Sequence, residues 1–275
     1  MIVASQKTFF GVSALLFAGS AGVTVAWCGS MSAMGGMTMP GDWTMSMAWM
    51  RMPGQSWSGA GATFLGMWVV MMMAMMLPSL VPMLLRYRRA VCCARPMRLA
   101  RLTTLVGLGY FFVWTALGMV VFPLGVVLAT MTMQLPELSR AVPMATGAVV
   151  VIAGALQFSA WKARHLACCR GVSGGSSAAM SSAVATGAAV ATGAAVATAW
   201  RHGVRLGVHC TYCCAGLTAI LLVIGVMDLR AMAVVAAAIS LERLAPAGQR
   251  VARVIGAAVV VWGLWLMVRA GAGIV

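Results

Sequence analysis

Two short segments in the second half of the chain concentrate cysteine and histidine. One reads Lys162-Ala-Arg-His-Leu-Ala-Cys-Cys-Arg170, and the other reads His209-Cys-Thr-Tyr-Cys-Cys214. Residues three and four positions apart share a face of a helix, so the cysteines of the second segment can act together. A tetrahedral set of thiolates and imidazoles suits zinc, and a smaller thiolate set suits Cu(I). We predict that the metal ligands here are His165, Cys168, Cys169, His209, Cys210, Cys213 and Cys214.

The alternative for these residues is ordinary packing, because a single cysteine in a helix often serves as a small apolar side chain. However, five cysteines and two histidines lie close together in the sequence. All three histidines of the chain fall between positions 165 and 209. This concentration favours a metal site, with copper preferred and zinc as the second choice.

Methionine, another soft donor, is concentrated near the start of the chain. Of the 25 methionines, 15 lie between Met31 and Met83. Eight of these fall in a predicted loop, where helix packing does not require them, and thioethers suit Cu(I). Methionine also fills gaps in apolar cores, which is the alternative for those in the second span. The candidate thioether ligands are Met34, Met37 and Met39 in the loop and Met71, Met72, Met75 and Met76 in the span.

Apolar composition predicts that membrane helices position these ligands. The chain is 62% hydrophobic and 8% charged, with a mean hydropathy of +0.97, whereas soluble domains carry about 25% charged residues. We predict an all-α fold, a polytopic membrane helix bundle with about seven transmembrane helices. The predicted spans are Thr8–Trp27, Gly61–Leu85, Leu102–Thr130, Ala141–Ala160, Val204–Met227, Leu229–Leu244 and Val251–Val268.

Basic residues predict the orientation of the bundle. With the N-terminus in the cytoplasm, 15 of the 19 lysines and arginines fall in inside segments. This asymmetry follows the positive-inside rule and predicts a multi-pass protein of the bacterial inner membrane. The net charge of +15 then reflects topology and contact with anionic membrane lipid, so nucleic acid is not an expected partner.

The spans divide the chain into four predicted segments. Residues 1–60 hold a first helix, interpreted as retained rather than cleaved, and a flexible external loop rich in methionine. Residues 61–160 hold helices two to four, and residues 204–275 hold helices five to seven. Residues 161–203 form a cytoplasmic linker with the Cys/His ligands and the repeat Ala183-Val-Ala-Thr-Gly-Ala. Only Cys28 of the eight cysteines lies outside, and reduced cytoplasmic thiols favour metal binding or redox chemistry over disulfides.

Catalytic motifs are not recognisable in the sequence. It contains no evident Ser/His/Asp set, paired carboxylates or phosphate-binding loop, so an enzyme acting alone is disfavoured. Acidic residues within membrane spans are functional candidates. Asp228 is predicted to begin the sixth helix. Glu242, beside Arg243, is predicted to lie at the inner interface as part of an ion pair, a ligand or a proton carrier.

A series of motifs resembles one family. It comprises Met67–Ser79, Gly109-Tyr110, Trp114, Gln157, Lys162, Cys169-Arg170, Cys210-x-x-Cys-Cys214, Gly225-Val-Met227 and Glu242. Together these resemble domain-of-unknown-function family 2182, described as predicted metal-binding integral membrane proteins, over about residues 61–248. The resemblance implies a membrane fold and a metal site, and it adds Met227 as a candidate ligand. Gln157 and Lys162 are predicted to flank the site because they lie at the inner end of the fourth span. His165 replaces a cysteine of the family pattern, which shifts the metal preference toward zinc or copper.

Three functional hypotheses follow. The leading one is an inner-membrane protein that captures a soft metal on the methionine loop, passes it along the second span, and exchanges it at an inner Cys/His site. The alternative is a metal-binding accessory or assembly subunit of a membrane metalloenzyme complex, with the loop as a docking surface. A third is a thiol redox or sensing protein that uses Cys213 and Cys214.

Overall fold

A helix bundle with one small hairpin makes up the fold. The computed structural model describes residues 2–33, 35–41, 43–51, 54–91, 96–170 and 192–272. Within these ranges the helices are α1 (Ile2–Ala33), α2 (Trp57–Ala90), α3 (Pro96–Gln134), α4 (Pro136–Leu156), α5 (Ala160–Arg170), α6 (Thr192–Ile224), α7 (Leu229–Leu244) and α8 (Gly248–Gly271). Strands β1 (Met37–Met39) and β2 (Trp43–Met45) and a 3-10 turn (Met47–Trp49) lie between α1 and α2. The predicted all-α bundle is confirmed.

Each predicted span coincides with a helix, and the described residues contain six helices that are long and apolar enough to cross a membrane. These segments are Gln6–Met31, Trp57–Ala90, Pro96–Gln134, Pro136–Leu156, Ala195–Ile224 and Gly248–Gly271. The chain is therefore a multi-pass protein by helix length and composition. The cytoplasmic position of the N-terminus stays a prediction.

Helix α7 is the predicted span that does not qualify. It has the predicted bounds, Leu229–Leu244, but only 16 residues. At 1.5 Å per residue it is about 24 Å long, less than the roughly 30 Å of a bilayer core. As predicted, Asp228 begins this helix: its carboxylate accepts hydrogen bonds from the backbone N–H groups of Arg230 and Ala231 at 2.8 and 3.1 Å.

Helix α6 begins earlier than predicted. Its first residue is Thr192, inside the alanine-rich repeat that the sequence assigned to a linker. Alanine has the highest intrinsic helix propensity, and the added turns pack on α3, so part of the predicted linker is helical. Residues 171–191, which contain the rest of the repeat, lie outside the described residues, as do Met34, Cys92 and Cys93.

The predicted flexible methionine loop is instead a hairpin held against α4. Strands β1 and β2 pair antiparallel, with Met37 opposite Met45, and Gly41 takes a φ of +101° in the turn, which favours glycine. The indole of Trp43 donates to the backbone oxygen of Ser139 at 3.0 Å, and the hydroxyl of Ser139 donates to the backbone oxygen of Pro40 at 2.9 Å. These bonds fix the hairpin at one end of the bundle.

Glycines allow α3 and α6 to approach closely. A Cβ on Gly109 of α3 would lie 2.7 Å from the backbone oxygen of Trp200, and a Cβ on Gly203 of α6 would overlap the backbone of Val106. Small residues at such crossings let membrane helices pack backbone to backbone. This contact places Tyr110, the neighbour of Gly109, against the middle of α6.

Candidate metal centre

A thiol and a thioether meet in the core of the bundle. The Sγ atom of Cys210 on α6 lies 3.9 Å from the Sδ atom of Met76 on α2, although 134 positions separate them in the chain. The hydroxyl of Tyr110 on α3 lies 2.8 Å from the same Sγ atom, within hydrogen-bond distance. All three side chains are fully buried, with 0% exposure. Three helices therefore hold two soft donors away from solvent.

Three more cysteines join Cys210 in a thiol cluster. Cys213 and Cys214 follow it on α6, Cys169 comes from α5, and each is at most 2% exposed. The thiol of Cys213 is hydrogen-bonded with those of Cys169 and Cys214, and the thiol of Cys214 with that of Cys210. None of the four is in a disulfide. We call Cys169, Cys210, Cys213 and Cys214 the thiol cluster.

A buried guanidinium contacts this cluster. The Nη2 atom of Arg243 lies 3.4 Å from the Sγ atom of Cys214 and 3.7 Å from that of Cys169. Its Nη1 atom donates to the hydroxyl of Ser79 on α2 at 3.1 Å. Arg243 is 5% exposed, and a buried cation is stable only beside negative charge or good acceptors. The cluster thus has a fixed positive charge next to its sulfurs.

A buried ion pair lies beside the cluster as well. The Nζ atom of Lys162 is 2.7 Å from Oε2 of Glu242 and donates to the backbone oxygen of Cys213 at 2.6 Å. Glu242 is 1% exposed and Lys162 is 4% exposed. Glu242 is therefore buried in an ion pair with Lys162, one of the roles predicted for it, and its position at the inner interface stays a prediction.

The α5 residues of the centre have shifted pKa values. The pKa of the Cys169 thiol is raised well above its ordinary value, mainly by its hydrogen bond with Cys213 and also by burial, although Arg243 acts in the opposite direction. Burial alone would lower the pKa of Lys162. The adjacent Cys213 and Glu242 outweigh burial, so the pKa of Lys162 lies above its ordinary value.

Buried polar atoms without a hydrogen-bond partner occur near the same helices. In the described part of the chain they include both amide atoms of Gln157, the hydroxyl of Thr218 and Oε1 of Glu242. Thr218 is one turn beyond Cys214 on α6. Such atoms are rare in folded proteins, where buried polar groups are usually hydrogen-bonded.

Two of the histidines form a pair at the border of the thiol cluster. The Nδ1 atoms of His165 on α5 and His209 on α6 are 3.2 Å apart. The rings of Trp161 and Tyr212 lie 4.8 and 5.2 Å from the ring of His165. The third histidine, His202, instead stacks on Tyr87 at 5.5 Å. The structure therefore brings together the two histidines that were predicted as ligands, His165 and His209, and places His202 apart from them.

A second feature lies at the hairpin end of the bundle. It is a cavity of about 1340 Å³ whose wall includes the thioethers of Met31, Met45, Met47 and Met227. Arg230 and Arg269 also line it. The cavity is far larger than a metal ion, so its walls do not by themselves form a compact coordination site.

The comparison with protein families decides the relationship. A family described as "PpoB2: Copper chaperone" matches residues 65–266, well over half of the chain. The chain belongs to the PpoB2 copper-chaperone family. A search of curated proteins and a search of solved structures found no match.

The PpoB2 match covers most of the helix bundle. It includes Met76, the thiol cluster, Arg243 and the histidine pair, and it leaves α1 and the methionine hairpin outside. The family match therefore includes the thiol cluster and does not include the methionine hairpin.

The predicted thioether ligands lie in three different places. Met71, Met72, Met75 and Met76 are all buried on α2, and Met76 contacts a thiol. Met37 is exposed and Met39 is buried in the hairpin, and Met227 lines the cavity at the hairpin end. Cys168 is exposed, unlike its neighbour Cys169.

Some site residues were not recognised from the sequence. Arg243 was noted only as the neighbour of Glu242, and Ser79 only as the end of the family-like series. Neither was assigned to the site, because their contact joins helices 164 positions apart. Tyr110 belonged to the family-like series but had no assigned role. Within the described ranges, no three His, Cys, Asp or Glu side chains already surround a shared point where a metal ion would fit. Metal binding at the thiol cluster would therefore replace its thiol–thiol hydrogen bonds.

Proposed function

We propose that this chain is a bacterial inner-membrane protein that binds Cu(I) through the thiol cluster and Met76 and transfers it to a recipient. The main support is the contact between Cys210 and Met76, which joins a thiol and a thioether in a buried site. Both are soft donors that prefer Cu(I) to hard cations. The family description, a copper chaperone, supports the same metal.

The charges around the cluster limit how many thiolates a bound ion can have. Arg243, Lys162 and Glu242 together carry one net positive charge in a buried environment. Cu(I) held by two thiolates carries one negative charge, so the sum is zero. Zinc held by four thiolates would leave one uncompensated negative charge, and zinc would need three thiolates and a neutral fourth ligand for the same balance. Buried uncompensated charge is costly, so the site suits either two thiolates on Cu(I) or three on zinc. The preference for copper rests on the thioether of Met76 and on the family description.

The thioethers of α2 provide a route to the cluster. Met71 and Met75 are four residues apart, as are Met72 and Met76, so each pair lies on one helix face. All four are buried, and Met76 is already in contact with Cys210. A neutral thioether binds Cu(I) more weakly than a thiolate does. The affinity for Cu(I) therefore rises toward the thiol cluster, and we infer that Cu(I) moves inward from the hairpin end to the cluster.

Metal content tests the binding part of the proposal. The protein is purified in detergent after growth with copper, and its copper and zinc are measured by elemental analysis. We expect about one copper per chain in the wild type and none after Cys210, Cys213 and Cys214 are changed to Ser. Cys28→Ser, which alters a buried cysteine of α1, is the matched control and should keep the metal. Equal copper in the triple variant and the wild type would exclude the thiol cluster as the site.

Copper uptake tests the transfer part. We would change Met71, Met72 and Met75 to Leu and retain Met76, so that the binding site keeps its thioether. Bound copper should stay near the wild-type level while cellular copper uptake falls, and Met83→Leu on the same helix should leave uptake unchanged. Unchanged uptake in the triple variant would remove the transfer claim.

A second candidate is an accessory or assembly subunit that gives copper to a membrane metalloenzyme. The observation that favours it is the cavity at the hairpin end, whose volume of about 1340 Å³ suits a segment of a partner protein better than an ion. A stoichiometric partner that co-purifies with both the wild type and the Met71, Met72 and Met75 variant would favour this role. The relation to domain-of-unknown-function family 2182 stays a prediction.

A further inference from the structure

The histidine pair is linked to the thiol cluster through both of its helices. His165 and Cys169 are four residues apart on α5, and His209 and Cys213 are four apart on α6. Residues with this spacing lie on one helix face, about 6 Å apart along the axis. His165 contacts His209, and Cys169 contacts Cys213. The same two helices therefore present an imidazole pair next to a thiol pair.

Exposure distinguishes the two pairs. Cys169 and Cys213 are each 2% exposed, whereas His165 and His209 are only half-buried. Tyr212, whose ring lies 5.2 Å from that of His165, is 47% exposed. The imidazoles thus lie between the buried sulfurs and the surface of the bundle.

We propose that His165 and His209 form a second, transient copper site through which Cu(I) passes between the thiol cluster and the surface. This inference rests on the proposed function, because it assigns a role to residues beside the proposed centre. It also separates the histidines, which the sequence grouped with the cysteines as one ligand set, from the site that holds the metal at equilibrium.

The geometry of the pair suits a bridging ion after a small movement. With a metal–imidazole bond of about 2.0 Å, as in zinc sites, an ion between two nitrogens needs them about 4 Å apart. The Nδ1 atoms are 3.2 Å apart, so the two nitrogens must move apart by under about 1 Å, which small rotations of the rings provide. In the absence of metal the two imidazoles share one hydrogen bond, which the ion would replace.

Transfer through this pair requires ligand exchange only. A thiolate leaves the ion as an imidazole nitrogen binds it, and copper stays in the Cu(I) state. The imidazoles are neutral ligands, so they hold Cu(I) less tightly than the thiolates beside Arg243 do. The pair therefore lowers the barrier to exchange without competing for the ion at equilibrium.

Exchange kinetics test this role. Full-length protein in detergent is loaded with Cu(I) and mixed with excess bicinchoninate, a water-soluble chelator that is coloured when it binds Cu(I). Changing both His165 and His209 to Asn should leave the copper content unchanged and slow the transfer to the chelator about tenfold or more. His202→Asn is the control, because its ring stacks on Tyr87 rather than on the pair, and its transfer rate should equal that of the wild type.

Each other outcome has a definite meaning. A wild-type rate in the double variant overturns the proposal and leaves the pair as a structural hydrogen bond. Loss of bound copper in a double variant that elutes as the wild type does on size exclusion also overturns it, because the histidines would then be equilibrium ligands. His165→Gln provides a second variant if the double change prevents folding, with the same expected slowing. A wild-type protein that binds no copper would refute the proposed function itself. The copper content measured before the chelator is added shows this.

Discussion

Arg243 places its Nη2 atom 3.4 Å from the Sγ atom of Cys214. The same nitrogen reaches Cys169, so one guanidinium contacts sulfurs from two helices. In a buried site this charge stabilises thiolates, which are the metal-binding form of cysteine. The residue therefore acts on the metal through its ligands and not by direct coordination.

Removal of this charge should weaken copper binding. We expect Arg243→Gln to lower the Cu(I) affinity about 10- to 100-fold, the usual cost of losing a group that supports metal ligands. Arg243→Lys should recover part of the affinity, because it retains the charge but cannot contact Ser79 and the two sulfurs at the same time. Competition titration with a Cu(I) chelator measures both, and Arg250→Gln, an exposed arginine at the start of α8, is the control. An affinity unchanged in Arg243→Gln would show that its charge does not support the site.

The buried ion pair should contribute strongly to stability. Glu242→Gln leaves Lys162 without its charged partner, and breaking a buried pair in this way costs about 3–5 kcal/mol. The exposed pair of Glu137 and Arg140, whose side chains are 88% and 64% exposed, offers a matched control. Glu137→Gln should cost under about 1 kcal/mol. Denaturant unfolding in detergent compares the two, and equal costs would mean that the Lys162–Glu242 pair is not desolvated as the structure indicates.

The contact between α3 and α6 should depend on Gly109 and not on Gly107. Gly109→Ala places a methyl group 2.7 Å from the backbone oxygen of Trp200, so the helices must separate at a cost of about 1–3 kcal/mol. Because this contact holds Tyr110 against Cys210, copper affinity should fall too. Gly107→Ala, where nothing lies within 4 Å, should be neutral or slightly stabilising. Both variants are checked by unfolding and by copper titration, and a stable Gly109→Ala with full affinity would contradict this packing.

Most helices could be predicted because their signal is local. Apolar runs placed the seven predicted spans on helices, and Asp228 was recognised as the start of α7. The start of α6 was missed, since an alanine-rich repeat resembles a linker in composition but has high helix propensity. The hairpin was missed because its glycines indicate a break in the helix, whereas the pairing of Met37 with Met45 depends on anchoring to Ser139.

The candidate centre could be predicted only in part. The residue types of the thiol cluster were visible as a local motif. The contact between Cys210 and Met76 joins residues 134 positions apart in the chain. The contact between Arg243 and Ser79 joins residues 164 positions apart. Such contacts arise from helix packing and leave no mark in residue spacing. For the same reason the sequence, which predicted His165 and His209 as ligands, could not show that their rings contact each other.

Orientation can be tested by labelling in intact cells. With the predicted cytoplasmic N-terminus, the exposed Cys168 should react with a membrane-impermeant maleimide only after the cells are permeabilised. In a background with Cys92 and Cys93 changed to Ser, Thr38→Cys in the hairpin should react in intact cells, because position 38 is exposed at the opposite end. Labelling of Cys168 from outside would reverse the proposed direction of transfer.

X-ray absorption at the copper edge tests the central claim most directly. Protein purified with copper should show Cu(I) with only sulfur neighbours, at about 2.3 Å, the length of metal–thiolate bonds in proteins. Met76→Leu should remove one sulfur from this shell and keep the rest. A shell of nitrogen or oxygen atoms, or a spectrum unaffected by serine at Cys210, Cys213 and Cys214, would contradict a copper site at the thiol cluster.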